Sequence, residues 1–307
     1  MSDPLVLAHL TDPHLPLGQP SLLESLSKRG LSYANWLRKR RLLHRPEITS
    51  RIVADLRAAD PDFIAMTGDL VNFSLEKEFA AGAEWLSALG PPDLVGLVPG
   101  NHEAIMPGFE DHMMRHWSAY VTGDDGRPGF PWLRRRGEVA LIGLSSAVAT
   151  LPTMATGTVG GTQLADLARL LAETGREGLC RVILIHHPPT PITVWRKSLT
   201  DWAELCQVIA TQGAELVLHG HTHRADLSWI DTNAGRIPVI GAPACGMRTG
   251  AGHDEGAWRR LEISRQETGW ELVLRERRID TTGEVIDGPH LRFRLPDARV
   301  AGGGARS

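Results

Sequence analysis

The sequence lacks the features that mark secreted, membrane-borne or nucleic-acid-binding chains. It has only three cysteines, Cys180, Cys206 and Cys245, odd in number and widely spaced. Neither a disulfide framework nor a cysteine-zinc site fits that spacing. They read as small buried apolar residues of a reducing compartment. No run approaches the ~18 consecutive apolar residues of a membrane span. The opening stretch MSDPLVLAHLTDPH has no basic region, and its apolar run is short for a signal peptide. The expected location is therefore the cytoplasm. A net charge of −3 gives no overall attraction to nucleic acid, so sequence-specific binding of that partner is not expected. No internal repeat or linker divides the chain, which reads as one α/β domain over 1–295, ending in a flexible Gly/Ala-rich tail at 296–307.

What is present is histidine, thirteen in all. Their placement matters more than their number. Short apolar runs at 4–10, 62–69, 93–103, 138–146, 180–189 and 215–218 read as buried strands. Helical spacing marks 45–62, 74–92, 162–173 and 200–213, with Thr162 as a plausible cap of the third and Gly213 closing the fourth. Strands alternating with helices argue for an α/β sheet fold, in which sites form beyond the carboxyl ends of strands. Five of the strands end in polar clusters: Asp12-Pro13-His14, Gly68-Asp69, Gly100-Asn101-His102-Glu103, His186-His187 and Gly220-His221-Thr222-His223. From 226 to 295 short β-rich stretches between turns suggest an antiparallel meander. The segment 103–133 is long and irregular, with Met113, Met114, His116 and Trp117 read as core and the loop itself as a candidate for substrate choice.

Singly, each cluster is weak, since Gly-Asp and Gly-Asn are common turn dipeptides. Together they bring carboxylate, amide oxygen and imidazole to one edge, a donor set suited to borderline metals. In this order they resemble the calcineurin-like metallophosphoesterases over roughly residues 5 to 225, nearest to bacterial cyclic-nucleotide phosphodiesterases and glycerophosphodiesterases. The resemblance implies a four-layer αββα sandwich with two central mixed β-sheets and a centre of two di- or trivalent ions (manganese, iron or zinc). Asp12, His14 and His223 would hold the first ion. Asn101, His186 and His221 would hold the second, and Asp69 would bridge them. A water shared by two cations loses its proton readily, its pKa falling from ~15.7 to about 7 even at a single zinc, and attacks phosphorus in line. His102 would donate a hydrogen bond to phosphate or the leaving oxygen. Glu103, Asn72 and His187 are candidates for orienting ligands or touching substrate. His219 would face the interior, and His9, His44, His112, His116, His253 and His290 read as surface or packed side chains.

The implied activity is hydrolysis of a small phosphodiester, with a phosphomonoester, a lipid-linked or nucleotide-sugar phosphate, or a non-catalytic metal scaffold as rivals. A basic insertion at about 20–46 stands apart. Between Ser25 and Pro46 it carries seven Lys/Arg and no acid, interleaved with Tyr33, Trp36 and leucines. It reads as a solvated helix packing its aromatics on the body. The alternatives are a lid that meets an anionic substrate or another subunit of a homo-oligomer, and a peripheral membrane-surface helix.

Overall fold

The computed structural model describes residues 3–250 and 252–297, so the tail expected at 296–307 lies outside the described residues except for Pro296 and Asp297. Among the described residues the strands are β1 Leu5–Leu10, β2 Phe63–Met66, β3 Val95–Leu97, β4 Trp132–Arg136, β5 Val139–Gly143, β6 Cys180–Leu184, β7 Leu216–His219, β8 Leu227–Thr232, β9 Gly235–Gly241, β10 Ala257–Arg265, β11 Trp270–Ile279 and β12 Val285–Leu295. They form two six-stranded sheets, ordered β12-β11-β10-β1-β2-β3 and β4-β5-β6-β7-β9-β8. β1, β2 and β3 run parallel, as do β5, β6, β7 and β9, while the remaining pairings are antiparallel. Both sheets are therefore mixed. The meander expected after residue 226 is split: β8 and β9 join the second sheet, with β9 parallel to β7, and only β10 to β12 form a meander on the first. Side-chain alternation does not reveal which sheet a hairpin joins, so this partition could not be read locally.

Period-two alternation builds the layers. Leu141, Val182, Leu184, Leu216 and Leu218 of the second sheet join one core with Leu7, Leu10, Ile64 and Met66 of the first. Their neighbours Ile142, Ile183 and Val217 face the other way, onto Leu164, Leu167 and Leu171 of α6 (Gly161–Arg176) and Leu205 and Ile209 of α7 (Trp202–Gln212). Helices α3 (Pro46–Ala58), α4 (Glu76–Leu89) and α5 (Phe109–Trp117) pack with the first sheet, contributing Ile52, Phe79 and Trp117. The result is the four-layer α/β/β/α arrangement. The long segment 103–133 contains α5, and Met113 and Trp117 are core. No described helix is long and apolar enough to cross a membrane. Thr162 is not a cap: α6 begins at Gly161 because the Asp201 carboxylate takes up the backbone N–H groups of Val159 (3.0 Å) and Gly160 (2.8 Å).

The basic insertion comprises α1 (Lys28–Asn35), a π-helical turn at Trp36–Arg40 and the short α2 (Arg41–Leu43). Tyr33 and Trp36 stack on one another and meet Phe73 edge-on, so the aromatics pack on the body. Lys28 anchors the other flank by donating to the carbonyls of Thr150 (3.0 Å) and Met154 (3.2 Å).

Away from the site, Arg181 and Glu215 form a fully buried pair (2.7 and 3.0 Å), and the guanidinium also donates to the carbonyls of Leu171 and Gln212. This knot ties the starts of β6 and β7 to the last turns of α6 and α7. Replacing Glu215 with Gln leaves a buried guanidinium without a counter-charge, which should cost about 3–5 kcal/mol in urea unfolding. A loss below ~1 kcal/mol, typical of a surface pair, would show the knot to be dispensable.

Candidate metal centre

Each of the five polar clusters lies just past the carboxyl end of a parallel strand: β1, β2, β3, β6 and β7. The backbone there is bent in an unusual way. Asp12, His14, Asp69, His221 and His223 all have positive φ, between 45° and 69°. L-residues rarely adopt this region, at a cost of roughly 1–3 kcal/mol each. Other non-glycine residues share it, but the concentration at ligand-type side chains says the turns aim these groups. Hydrogen bonds hold the turns in place: Asp12 N to Gly68 O, His14 N to Asp69 O, both 3.0 Å, and His221 N to Asp12 Oδ2, also 3.0 Å. Gly68 combines a φ of 93° with a close approach; a Cβ there would stand 2.6 Å from Gly100 N and 2.8 Å from His186 Nδ1.

Two donor groups result. In the first, His223 Nε2 is 3.1 Å from Asp12 Oδ1 and 3.3 Å from His14 Nε2. In the second, His186 Nε2 is 3.3 Å from Asn101 Oδ1 and 3.2 Å from His221 Nδ1. Asp69 Oδ2 stands between them, 3.7 Å from His14 Nε2 and 3.5 Å from His186 Nε2. Two donors each about 2.1 Å from one ion lie about 3.0–3.4 Å apart at right-angled to tetrahedral geometry, and the spacings within each group, 3.1 to 3.3 Å, suit a transition-metal ion. Asp12 Oδ1 faces imidazole nitrogens, with His223 Nε2 at 3.1 Å and His14 Nε2 at 3.8 Å. The other carboxylate oxygens are occupied: Asp12 Oδ2 by Thr11 and His221 N, and Asp69 Oδ1 by His102 N at 2.8 Å. Asp12, His14, Asp69 and His223 form one set able to hold a metal, and Asp69, His186 and His221 another.

Protonation follows from burial and charge. Burial raises the Asp12 carboxyl, but His223 outweighs it and holds the group well below its ordinary value. Burial and then neighbouring His44 or His187 push the His14 and His221 imidazoles well down, leaving neutral rings with free lone pairs. His186 differs: burial lowers it, but Asp69 and its own hydrogen bonds lift it to about 9. Its Nδ1 lies 2.7 Å from the Thr67 carbonyl, which fixes the ring with Nε2 toward the cluster.

The surrounding candidates separate by their partners. Glu103 accepts four backbone N–H groups, from Asp69 (2.9 Å), Leu70 (2.7 Å), Val71 (3.1 Å) and Gly100 (2.7 Å). Burial and the nearby Asp69 charge raise it to about 7 against the pull of those donors. Asn72 supports from behind: its side chain donates to Leu15 O (2.7 Å), and its carbonyl lies 2.9 Å from His102 Nδ1. His102 is drawn down to about 3, first by burial and then by Arg40. His187 has both ring nitrogens engaged, with Ser146 Oγ (2.7 Å) and Ala155 O (3.1 Å), so it packs behind His186 and His221 rather than presenting a nitrogen to substrate. His219 is buried, as expected, with Nδ1 on the Gly220 carbonyl.

Sequence reasoning passed over two residues of the basic insertion. Arg40 Nη1 lies 3.2 Å from His102 Nδ1, and the guanidinium feels the charges of Asp69 and Asp12. His44, read as surface or packed, is 7% exposed, with its ring 4.5 Å from that of His14 and 5.2 Å from that of His223. The signal in the sequence was the four-residue spacing of Arg40 and His44 on a helical segment. On the other side, a cavity of about 740 Å³ is lined by His221, Thr222, Lys197, Arg224 and His253.

Replacing Glu103 with Gln turns an acceptor into a donor facing backbone N–H groups. A buried donor left unmatched costs about 1–3 kcal/mol, and a loosened Asp69 should weaken metal binding about 10–100-fold. Unfolding and metal titration of the variant measure both; unchanged metal affinity would show that Glu103 does not position Asp69.

Comparisons with known proteins give the family and the fold. The family model described as calcineurin-like phosphoesterase matches residues 5–225. A curated protein of Synechococcus sp., named a probable cyclic nucleotide phosphodiesterase, is 27% identical over 216 residues, covering 69% of this chain and 76% of that protein. Two solved structures share the fold. A dimetal phosphatase from Danio rerio has a TM-score of 0.58 at 12% identity, over 93% of this chain and 99% of that one. A purple acid phosphatase from yellow lupin has 0.60 at 13%, over 97% of this chain and 55% of that one. With most of its length matched by the family model, the chain belongs to the calcineurin-like phosphoesterases and is a metal-dependent phosphoester hydrolase.

Proposed function

We propose that the chain hydrolyses a small phosphodiester, of cyclic-nucleotide or glycerophosphodiester type, at a centre of two metal ions. Asp12, His14 and His223 hold the first ion, Asn101, His186 and His221 the second, and Asp69 both. The observation that carries this reading is the position of Asp69 Oδ2, within 3.7 Å of a donor nitrogen in each group. Carboxylate, amide oxygen and imidazole together suit manganese, iron or zinc. When bound, the two ions supply an activated water and Lewis-acid neutralisation of phosphoryl charge.

The remaining chemistry falls to the chain's own groups. With Nδ1 at the Asn72 carbonyl, His102 has Nε2 as its free ring nitrogen. An anionic phosphate beside it opposes the burial and the Arg40 charge that keep the ring neutral, so Nε2 takes a proton from solvent and passes it to the leaving oxygen, the ring returning to its neutral form. Among the described residues no carboxylate stands within ion-pair distance of Arg40, although Asp69 and Asp12 act on it from further away. That leaves its guanidinium for a non-bridging phosphate oxygen. The cavity beside His221, with Lys197 and Arg224 on its wall, takes the organic part of the ester. The diester preference is supported by the name of the Synechococcus relative. One feature favours a lipid-linked phosphate instead: Leu22, Leu23 and Leu26 are 92%, 82% and 87% exposed at the outer end of the insertion that carries Arg40.

Asp69→Ala should lose both ions and nearly all turnover of bis(p-nitrophenyl) phosphate. His102→Ala should keep its metal, measured by elemental analysis, and lose about 100- to 10,000-fold in rate. Full activity in either variant contradicts the assignment. On metal-reconstituted protein, a panel of cyclic nucleotides, glycerophosphodiesters, phosphomonoesters and lipid-linked phosphates should show its highest kcat/KM on one of the first two; a clear preference for either of the others displaces the diester reading.

A further inference from the structure

We propose that His44 is an additional ligand of the metal centre, delivered to the first ion by the basic insertion. The inference rests on the two-ion reading above and adds a donor from outside the strand-end loops.

Three observations support it. Ring nitrogens of His14, His44 and His223 lie within 4.8 Å of one another, a group able to hold an ion. Donors on opposite sides of one ion at about 2.1 Å are about 4.2 Å apart, so a small shift brings all three imidazoles into one shell. His44 Nδ1 is buried with no hydrogen-bond partner. Leaving such an atom unmatched costs about 1–3 kcal/mol, which a bound cation removes.

The third observation is that the backbone is fixed on both sides. His44 N donates to Arg40 O (2.8 Å), and His44 pairs with Met247 in an isolated antiparallel bridge. Arg45 N donates to Gly246 O and Arg248 N to Leu43 O, both 2.8 Å, while Cys245 N donates to Thr11 O at 3.0 Å. His44 is thus tied through residues 245–248 to the strand end that carries Asp12. Tethering of this kind holds the His44 ring in a fixed position beside His14 and His223.

The ligand class follows from the donors. With His44 the first position has three imidazoles and two carboxylates. The second has two imidazoles, an amide oxygen and the shared Asp69. The extra imidazole biases the first position toward zinc, iron or cobalt over harder ions, so the two positions should differ in affinity.

The test is a titration of the full chain, stripped of metal, with cobalt(II) alone, followed by visible absorption. Wild type should bind two ions. In His44→Ala, one of the two affinities should fall at least tenfold, with a changed absorption band for that ion and the other site unaltered. His44→Gln preserves much of the side-chain volume and should show the same loss; it carries the test if the alanine variant does not fold, as judged by circular dichroism. Two sites with wild-type affinity and spectrum in a folded variant overturn the role of His44 alone. A wild type that binds fewer than two ions overturns the two-ion reading, and this inference with it.

Discussion

Everything at the strand ends depends on one buried carboxylate that is not itself in either donor group. Glu103 accepts N–H groups from Asp69, Leu70, Val71 and Gly100, welding the loop after β2 to the loop after β3. A buried charge is tolerable only when its lone pairs are filled, and charge-assisted bonds to backbone are strong. Glu78 repeats the device one turn further on, accepting from Asn72, Phe73 and Leu75 N–H groups at 3.0 Å each. Arg29 takes the carbonyls of Phe73 and Ser74. The segment 69–75 is therefore a loop with its polar backbone largely accounted for, and Asp69 sits at its rigid end. The oxygen shared by the two donor groups is placed by backbone bonding that does not need a metal.

The same rigidity explains how the left-handed residues persist. Five strained residues in three turns, at roughly 1–3 kcal/mol each, consume as much free energy as many small domains have in net stability. The apolar burial on both faces of the second sheet and between the two sheets is the favourable term that can offset it. The strain turns Asp12 and Asp69 so that one oxygen of each is committed to the backbone and the other is left facing imidazoles. A relaxed loop would let these carboxylates hydrogen-bond locally, as Asp residues in turns usually do.

Much of this was legible in the sequence because it is local. The five clusters announce themselves as polar residues after apolar runs. Helices α3, α4, α6 and α7 follow the spacing of their leucines and isoleucines, and Gly213 closes α7 with a φ of 80°. What escaped depends on contacts across the chain. Thr162 has the residue type of a cap but lost the place to Asp201, whose carboxylate comes from some forty residues on. The split of the C-terminal meander is a choice between two sheets that the strands' own pattern does not encode. His44 and Arg40 looked like part of a solvated basic face, because only the chain path of α1, the π-turn and α2 brings them back to residues 12–14 and 102. His187, read as orienting a ligand or touching substrate, has both ring nitrogens engaged and packs against His186 and His221, a placement its sequence position beside His186 does not decide.

The insertion and the C-terminal strands are thus structurally coupled, although the family model ends at residue 225. β10 pairs with β1 directly, and residues 245–248 hold both Thr11 and the segment 43–45. Main-chain hydrogen bonds thus join this region to the residue before Asp12. The insertion, pinned at Lys28, Arg29 and His44, closes one side of the centre with Arg40 inward. The cavity lined by Lys197 and Arg224 lies on the other side, beside His221. Lys197 and Arg224 stand on the segments after β6 and β7, apart from Arg40 and His102, which the insertion and the loop after β3 hold together on the opposite side of the centre.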